Sequence, residues 1–222
     1  LDNTILKDQL NLMRVGEPMY VFYGYVEDGY DENGHIVYKN MDDDPAITAA
    51  DKTIIGDPNP DFLVNLTTAV SYKGFTLSAF FQSSIGNDIY SLSMAAQAYD
   101  YGYNGNTLRE VYYNHWSPEN PTAKYPNLDQ TSYKMSDRFV YDGSFVRLKN
   151  LELAYDVPCA RSKFIKRARV YVSAQNLFTI TSYPFWDPDI NANGGGSSMI
   201  QGVDSYCYPS ARTYTIGCRL TF

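Results

Sequence analysis

The chain has 222 residues, enough for one large domain or two small ones, and its 44% hydrophobic content coexists with a mean hydropathy of −0.36, so apolar residues are interleaved with polar ones. A net charge of −7 and a sequence pI near 4.8 argue against a nucleic-acid partner, which would want clustered Lys and Arg. Scattered cysteines (Cys159, Cys207, Cys218) without a CxxC pair, and histidines only at positions 35 and 115, give no disulfide framework, no zinc site and no reason to expect a metal enzyme.

No apolar run reaches the roughly 18 residues of a membrane helix, but strand alternation hides a β-barrel from hydropathy, so a membrane stays open. The 21 Tyr and 11 Phe favour strands, and tyrosine suits a membrane–water boundary. Residues 19–27 are the first aromatic-rich strand candidate, followed by a polar, acidic connection over 28–61. Residues 62–72 alternate, with Val64, Leu66, Val70 and Tyr72 on one face. Lys73-Gly74 is a two-residue turn, and 75–83 return with Phe75, Leu77, Ala79 and Phe81 on one face.

A tyrosine-rich, irregular stretch covers about 84–143, with helix candidates at 88–98 and 107–115; so long a connection usually carries function. In 144–156 the parity flips: Val146 and Leu148 share one parity, and Leu151, Leu153 and Tyr155 the other. This predicts a bulge near Asn150, or a strand that leaves the membrane there. A polar turn spans 158–166, then 168–180 alternate with Val170, Val172, Ala174, Phe178 and Ile180 on one face. A second long loop covers 183–209. In the terminal strand Tyr214, Ile216, Cys218, Leu220 and Phe222 oppose Thr213, Thr215, Gly217, Arg219 and Thr221.

The short turns (73–74, 157–167) and the long connections (28–61, 84–143, 182–209) fall on opposite ends of the strands, as short periplasmic turns and long extracellular loops do in outer-membrane barrels. The expected fold is all-β: an antiparallel transmembrane β-barrel segment with long extracellular loops. About six strands cannot close a barrel, and an open edge in lipid leaves backbone groups unpaired, so residues 1–222 are expected to be a fragment of a larger barrel. The alternative is a secreted β-sandwich carbohydrate-binding protein, whose apolar faces would pack together.

Several stretches carry a resemblance: Val15-Gly16-Glu17-Pro18 with Phe22-Tyr23-Gly24-Tyr25; Ile55-Gly56-Asp57-Pro58-Asn59-Pro60-Asp61-Phe62; Phe80-Phe81-Gln82 with Gly86-Asn87-Asp88-Ile89-Tyr90; Asp142 to Asn150; Val170 to Phe178; and Tyr208-Pro209 to Phe222. In this order they resemble the C-terminal quarter of the SusC/RagA family of TonB-dependent outer-membrane transporters of Bacteroidota. The resemblance implies the last six or so strands of a 22-stranded barrel, with the plug domain and earlier strands outside residues 1–222. It also implies import of oligosaccharides or peptides across the outer membrane of a Gram-negative bacterium, beneath a SusD-like surface lipoprotein and driven through TonB. The remaining barrel, the plug, outer-membrane lipid and a glycan or peptide ligand are the other partners it implies.

The family often carries a calcium-like D-x-N-x-D-G-x-I-x-x-x-D stretch, which here runs from Asn40 to Asp51. Asn40, Asp42, Asp44 and Asp51 hold the oxygen-ligand positions, but Pro45 replaces the turn glycine. A solvated acidic loop is the expectation and calcium the alternative; no other cofactor is expected. Tyr99, Tyr101, Tyr103, Tyr112, Trp116 and Trp186 are candidates for contact with substrate or lid, their other reading being that they hold the loops together. Tyr171, Gln175 and Arg219 are candidates for lining the lumen, and Phe222 for the barrel-assembly signal. Asp187 and Asp189 mimic a glycosidase pair, but Pro188 between them suggests a turn, and no catalysis is expected.

Overall fold

The structure, a computed structural model, describes residues 4–6, 10–99, 106–130, 132–159, 164–190 and 200–222. In chain order the strands are β1 (Thr4–Leu6), β2 (Asn11–Arg14), β3 (Val21–Gly24), β4 (Glu27–Tyr30), β5 (Ile36–Tyr38), β6 (Thr53–Gly56), β7 (Phe62–Tyr72) and β8 (Phe75–Ile85). They continue with β9 (Asp88–Ser91), β10 (Val140–Asp142), β11 (Phe145–Val157), β12 (Arg167–Thr181), β13 (Val203–Asp204) and β14 (Thr213–Thr221). Helices α1 (Leu92–Tyr99) and α2 (Arg109–Tyr113) lie between β9 and β10. The chain divides into two units, one holding residues 1–59, 87–142 and 189–207, the other 60–86, 143–188 and 208–222.

The second unit is one antiparallel sheet of five strands in the order β14-β12-β11-β8-β7. Its first hairpin closes through Lys73 and Gly74, both at positive φ (48° and 88°), the backbone that a two-residue turn of matching twist requires. A Cβ on Gly74 would press on the Tyr155 ring at 3.1 Å. Directly opposite residues share a face, so the register writes the faces as rows. Val70, Leu77, Leu153, Val172 and Ile216 form one apolar row across all five strands. Tyr72, Phe75, Tyr155, Val170 and Cys218 form the next, with Phe75 and Tyr155 rings 4.5 Å apart at the short-turn end. On the other face run Ser71, Thr76, Ala154, Tyr171 and Gly217, then Ala69, Ser78, Glu152, Ser173 and Thr215.

The parity flip in β11 is a bulge. Between the apolar positions Leu148 and Leu151 the strand places Lys149 and Asn150, where β8 has Phe80 alone and β12 has Gln175, Asn176 and Leu177. Asn176 takes φ 51°, the left-handed region open to Asn. The inserted residues return Val146 and Leu148 to the face of Leu151, Leu153 and Tyr155. Without them, half of β11 would turn its leucines to the polar side.

The apolar face stays uncovered: Val70 is 66% and Ile216 85% exposed. A β-sandwich would bury these positions against a second sheet. Strands β7 and β8, of 11 residues each, match the length that crosses a hydrocarbon core at a tilt. The long connections all leave this sheet at one end, where Phe62 pairs with Ile85 and Phe145 with Ser84 and Thr181.

The first unit is built from the long connections, which hold strands and helices among their described residues. Its sheets are β1-β2-β3-β6, the antiparallel pair β4-β5, and β10-β9-β13, in which β13 runs parallel to β9. The strand candidate at 19–27 therefore belongs here, between β2 and β6, and not to the five-stranded sheet. Val21 and Phe22 are both buried, so this run packs on both faces where a membrane strand would alternate. Residues 28–61 hold the β4-β5 hairpin and β6, and the helices expected at 88–98 and 107–115 are α1 and α2, the first preceded by β9. Phe22, Tyr90, Phe139 and Tyr133 form an edge-packed chain at centroid distances of 5.9, 6.0 and 5.2 Å.

The row geometry sets an expected outcome. In the complete barrel, Ile216→Arg lowers the folded, heat-modifiable fraction, because Arg on a lipid face costs about 2–4 kcal/mol near mid-membrane. Thr215→Arg, one residue along on the opposite face, leaves that fraction close to wild type. A larger loss for Thr215→Arg would mean that the faces are reversed, and equal losses would mean that the two faces do not differ.

Candidate functional site

At the long-connection end, the polar face of the five-stranded sheet holds a cavity of about 330 Å³. It is lined by Arg147, Asn176, Thr179, Thr181, Trp186, Asp187, Pro188, Pro209, Ser210 and Arg212. The bulge positions Arg147: with Leu148 on the apolar side, Arg147 points to the polar one, and it is only 1% exposed. Its guanidinium pairs with Asp187, donates through Nε to Thr179 Oγ1 at 2.9 Å and through Nη1 to Ser210 Oγ at 3.1 Å, and lies 5.2 Å over the Phe145 ring. Asp187 Oδ2 also accepts the backbone N–H of Ser210 at 2.8 Å. One buried cation thus ties the chain just after β12 to the chain just before β14.

Beside this pair, Trp186 stacks on Phe185 at 5.0 Å and 19° and is 58% exposed. Asn176 Nδ2 donates to Ala211 O at 2.9 Å, while its buried Oδ1 accepts no hydrogen bond among the described residues. Such an acceptor costs about 1–3 kcal/mol until a donor reaches it. Arg212 lines the cavity and forms no ion pair among the described residues.

Of the predicted residues, Trp186 falls in this cavity. Tyr171, Gln175 and Arg219 lie on the polar face, Gln175 opposite Thr213 and Arg219 opposite Arg169. The Tyr171 ring covers Gly217, where any side chain would collide with it. Arg169 is offset by Asp156 at 3.4 Å and Glu152 at 3.9 Å. Trp116 lies in the first unit, against Gly34 at the β4-β5 tip. Tyr112 is 60% exposed beside Tyr113, their rings 5.3 Å apart. Tyr101, Tyr103 and the Tyr99 side chain lie outside the described residues. Phe222 follows β14 and is 71% exposed.

The calcium candidates form a ladder of side-chain caps. Asn40 Oδ1 accepts Asp42 N, Asp42 Oδ1 accepts Asp44 N, and Asp44 Oδ1 accepts Ala46 N. Asp51 Oδ1 and Oδ2 accept Met41 N and Thr48 N, each at 2.7 Å, and these bonds hold the Asp51 carboxyl below its ordinary range. Among the described residues no group of three or more His, Cys, Asp or Glu side chains gathers to hold a metal. Elsewhere in this unit burial pushes the Glu27 carboxyl up, and its pairing with Arg138 opposes that. Arg147 and Arg212 were not singled out from sequence, although both stand in motif stretches; a lone Arg in a strand reads as a solvated polar-face residue.

An antiparallel sheet with an uncovered apolar face, a polar face and spanning strands is a wall of a membrane β-barrel. Comparison with known proteins narrows the class. The chain is 33% identical over 98% of its length to the TonB-dependent receptor P3 of Formosa agariphila, covering 23% of that protein. It is 30% identical over 94% of its length to the TonB-dependent receptor SusC of Bacteroides thetaiotaomicron, covering 20% of it. Among solved structures, the RagAB peptide importer in its open-open state superposes with a TM-score of 0.82 at 25% identity, covering 100% of this chain and 24% of that one. No family model matches the chain. The chain belongs to the SusC/RagA family of TonB-dependent outer-membrane receptors, and spans about a quarter or less of the length of the relatives it matches.

The buried pair yields a second expectation. Arg147→Met or Asp187→Leu alone strands a buried charge and destabilises the β12–β14 connection by about 3–5 kcal/mol, whereas the double substitution recovers most of that loss. Hydrogen exchange of residues 182–212 in the intact protein reads the difference; additive losses would mean that the two side chains act independently.

Proposed function

We propose that the chain forms the last strands of a 22-stranded outer-membrane importer that takes up oligosaccharide or peptide, driven through TonB and covered by a SusD-like surface lipoprotein. The observation that carries this reading is the pairing of an uncovered apolar face with a polar one in a chain of this family. The apolar rows meet lipid and the polar rows face a wet lumen. The end from which all the long connections leave faces outward. The plug and earlier strands come from the rest of the protein, and TonB acts on that part. No covalent chemistry is required: the wall supplies a polar passage, and the energy comes from the proton gradient through the partner. Peptide is named by the likeness to the RagAB importer, and oligosaccharide is the other cargo that the family resemblance implies.

Two measurements test this. In cells carrying the complete gene, uptake of labelled oligosaccharide or oligopeptide is expected to stop when a protonophore collapses the gradient; uptake that continues unchanged would point to a passive pore. Deleting Phe222 is expected to lower the amount of inserted barrel, read by heat modifiability in outer-membrane fractions. An undiminished amount would remove Phe222 from assembly.

A further inference from the structure

We propose that the cavity beside the Arg147–Asp187 pair is a subsite for a saccharide ring bearing an anionic substituent, an inference that rests on the import reading and adds the chemistry of its cargo. Trp186 offers a flat, 58% exposed aromatic face, held parallel to Phe185, and a sugar ring packs its C–H face on such a surface. Arg212 brings a cation to the same cavity and forms no ion pair among the described residues. In a chain of net charge −7, this exposed guanidinium at the cavity's edge, with no ion pair among the described residues, favours an anion from outside. Arg147 does not serve, because Asp187 already neutralises it. Around the rim, Thr179 Oγ1 and Ser210 Oγ each accept from Arg147 and keep a hydroxyl proton to donate, which suits ring hydroxyls and ether oxygens. Asn176, whose buried Oδ1 accepts no hydrogen bond among the described residues, also borders this cavity. The Arg147–Asp187–Ser210 network holds both ends of the β12–β14 connection against the wall, so Trp186 and Arg212 keep their spacing before ligand arrives.

The test uses the full-length transporter in detergent, titrated calorimetrically with trigalacturonate, maltotriose and trialanine. Trigalacturonate is expected to bind about tenfold more tightly than maltotriose, the scale of one charge-assisted contact. Arg212→Gln removes that preference and leaves maltotriose unchanged, Arg212→Lys restores part of it, and Trp186→Ala weakens both saccharides. Heat modifiability confirms that each variant is a folded barrel. The proposal is overturned if the wild type shows no preference for the acidic saccharide, if Arg212→Gln keeps the preference, or if trialanine is the probe whose binding depends on Arg212. Energised uptake measured alongside separates the two readings: uptake that persists while the preference is absent rejects the subsite and leaves import standing, whereas a wild type without energised uptake rejects import itself.

Discussion

In hydrocarbon every backbone N–H and C=O must find its partner inside the protein, and the register of the five-stranded sheet is how this chain meets that demand. Register also decides which side chains meet lipid, because a slip of one residue turns a whole strand over. The extra residues at Lys149 and Asn150 in β11, and at Asn176 in β12, let strands of different local count keep one apolar face through all five. Remove that adjustment and Leu148 with Val146, or Leu151 with Leu153, would face the polar side. The outer strands β7 and β14 each leave an edge unpaired within this sheet, so the wall is complete only with neighbouring strands on both sides.

The same bulge builds the polar site. Once Leu148 is committed to the apolar face, Arg147 is committed to the other, and its length lets it gather Thr179, Asp187 and Ser210. A buried guanidinium with a carboxylate and two hydroxyl partners fixes position more than it adds stability, since the desolvation of both charges offsets much of their attraction. The result is a connection whose two ends are anchored on the wall, and an aromatic pair, Phe185 with Trp186, presented beside the anchor.

Much of the wall was legible in the sequence because its signals are local. The period-two alternation of β14 and β12, the Lys73-Gly74 turn and the parity flip near Asn150 all appear as expected, and each depends on neighbours in the chain. The first unit was less legible. Its β3 is buried on both faces, so it carries no alternation, and its aromatic richness read as a membrane strand. The β4-β5 hairpin was missed although Asn33-Gly34 is a turn signal, because the acidic residues around it suggested an open loop. The place of Trp116 in the fold could not be read from sequence, since Gly34, the residue it covers, is distant in sequence. Arg147 was hidden for the same reason: Asp187 and Ser210 lie 40 and 63 residues away, and no local pattern links them.

The central claim is that one face of this sheet meets lipid and the other meets water. Nitroxide labels placed singly at positions 213, 214, 215, 216, 219 and 220 of the complete, reconstituted barrel, with Cys159, Cys207 and Cys218 replaced by serine, read this directly. Collision rates with oxygen and with a polar nickel complex should alternate with a period of two. Oxygen should be favoured at 214, 216 and 220, and nickel at 213, 215 and 219. Rates without that period, or with the two sets exchanged, would contradict the membrane wall described.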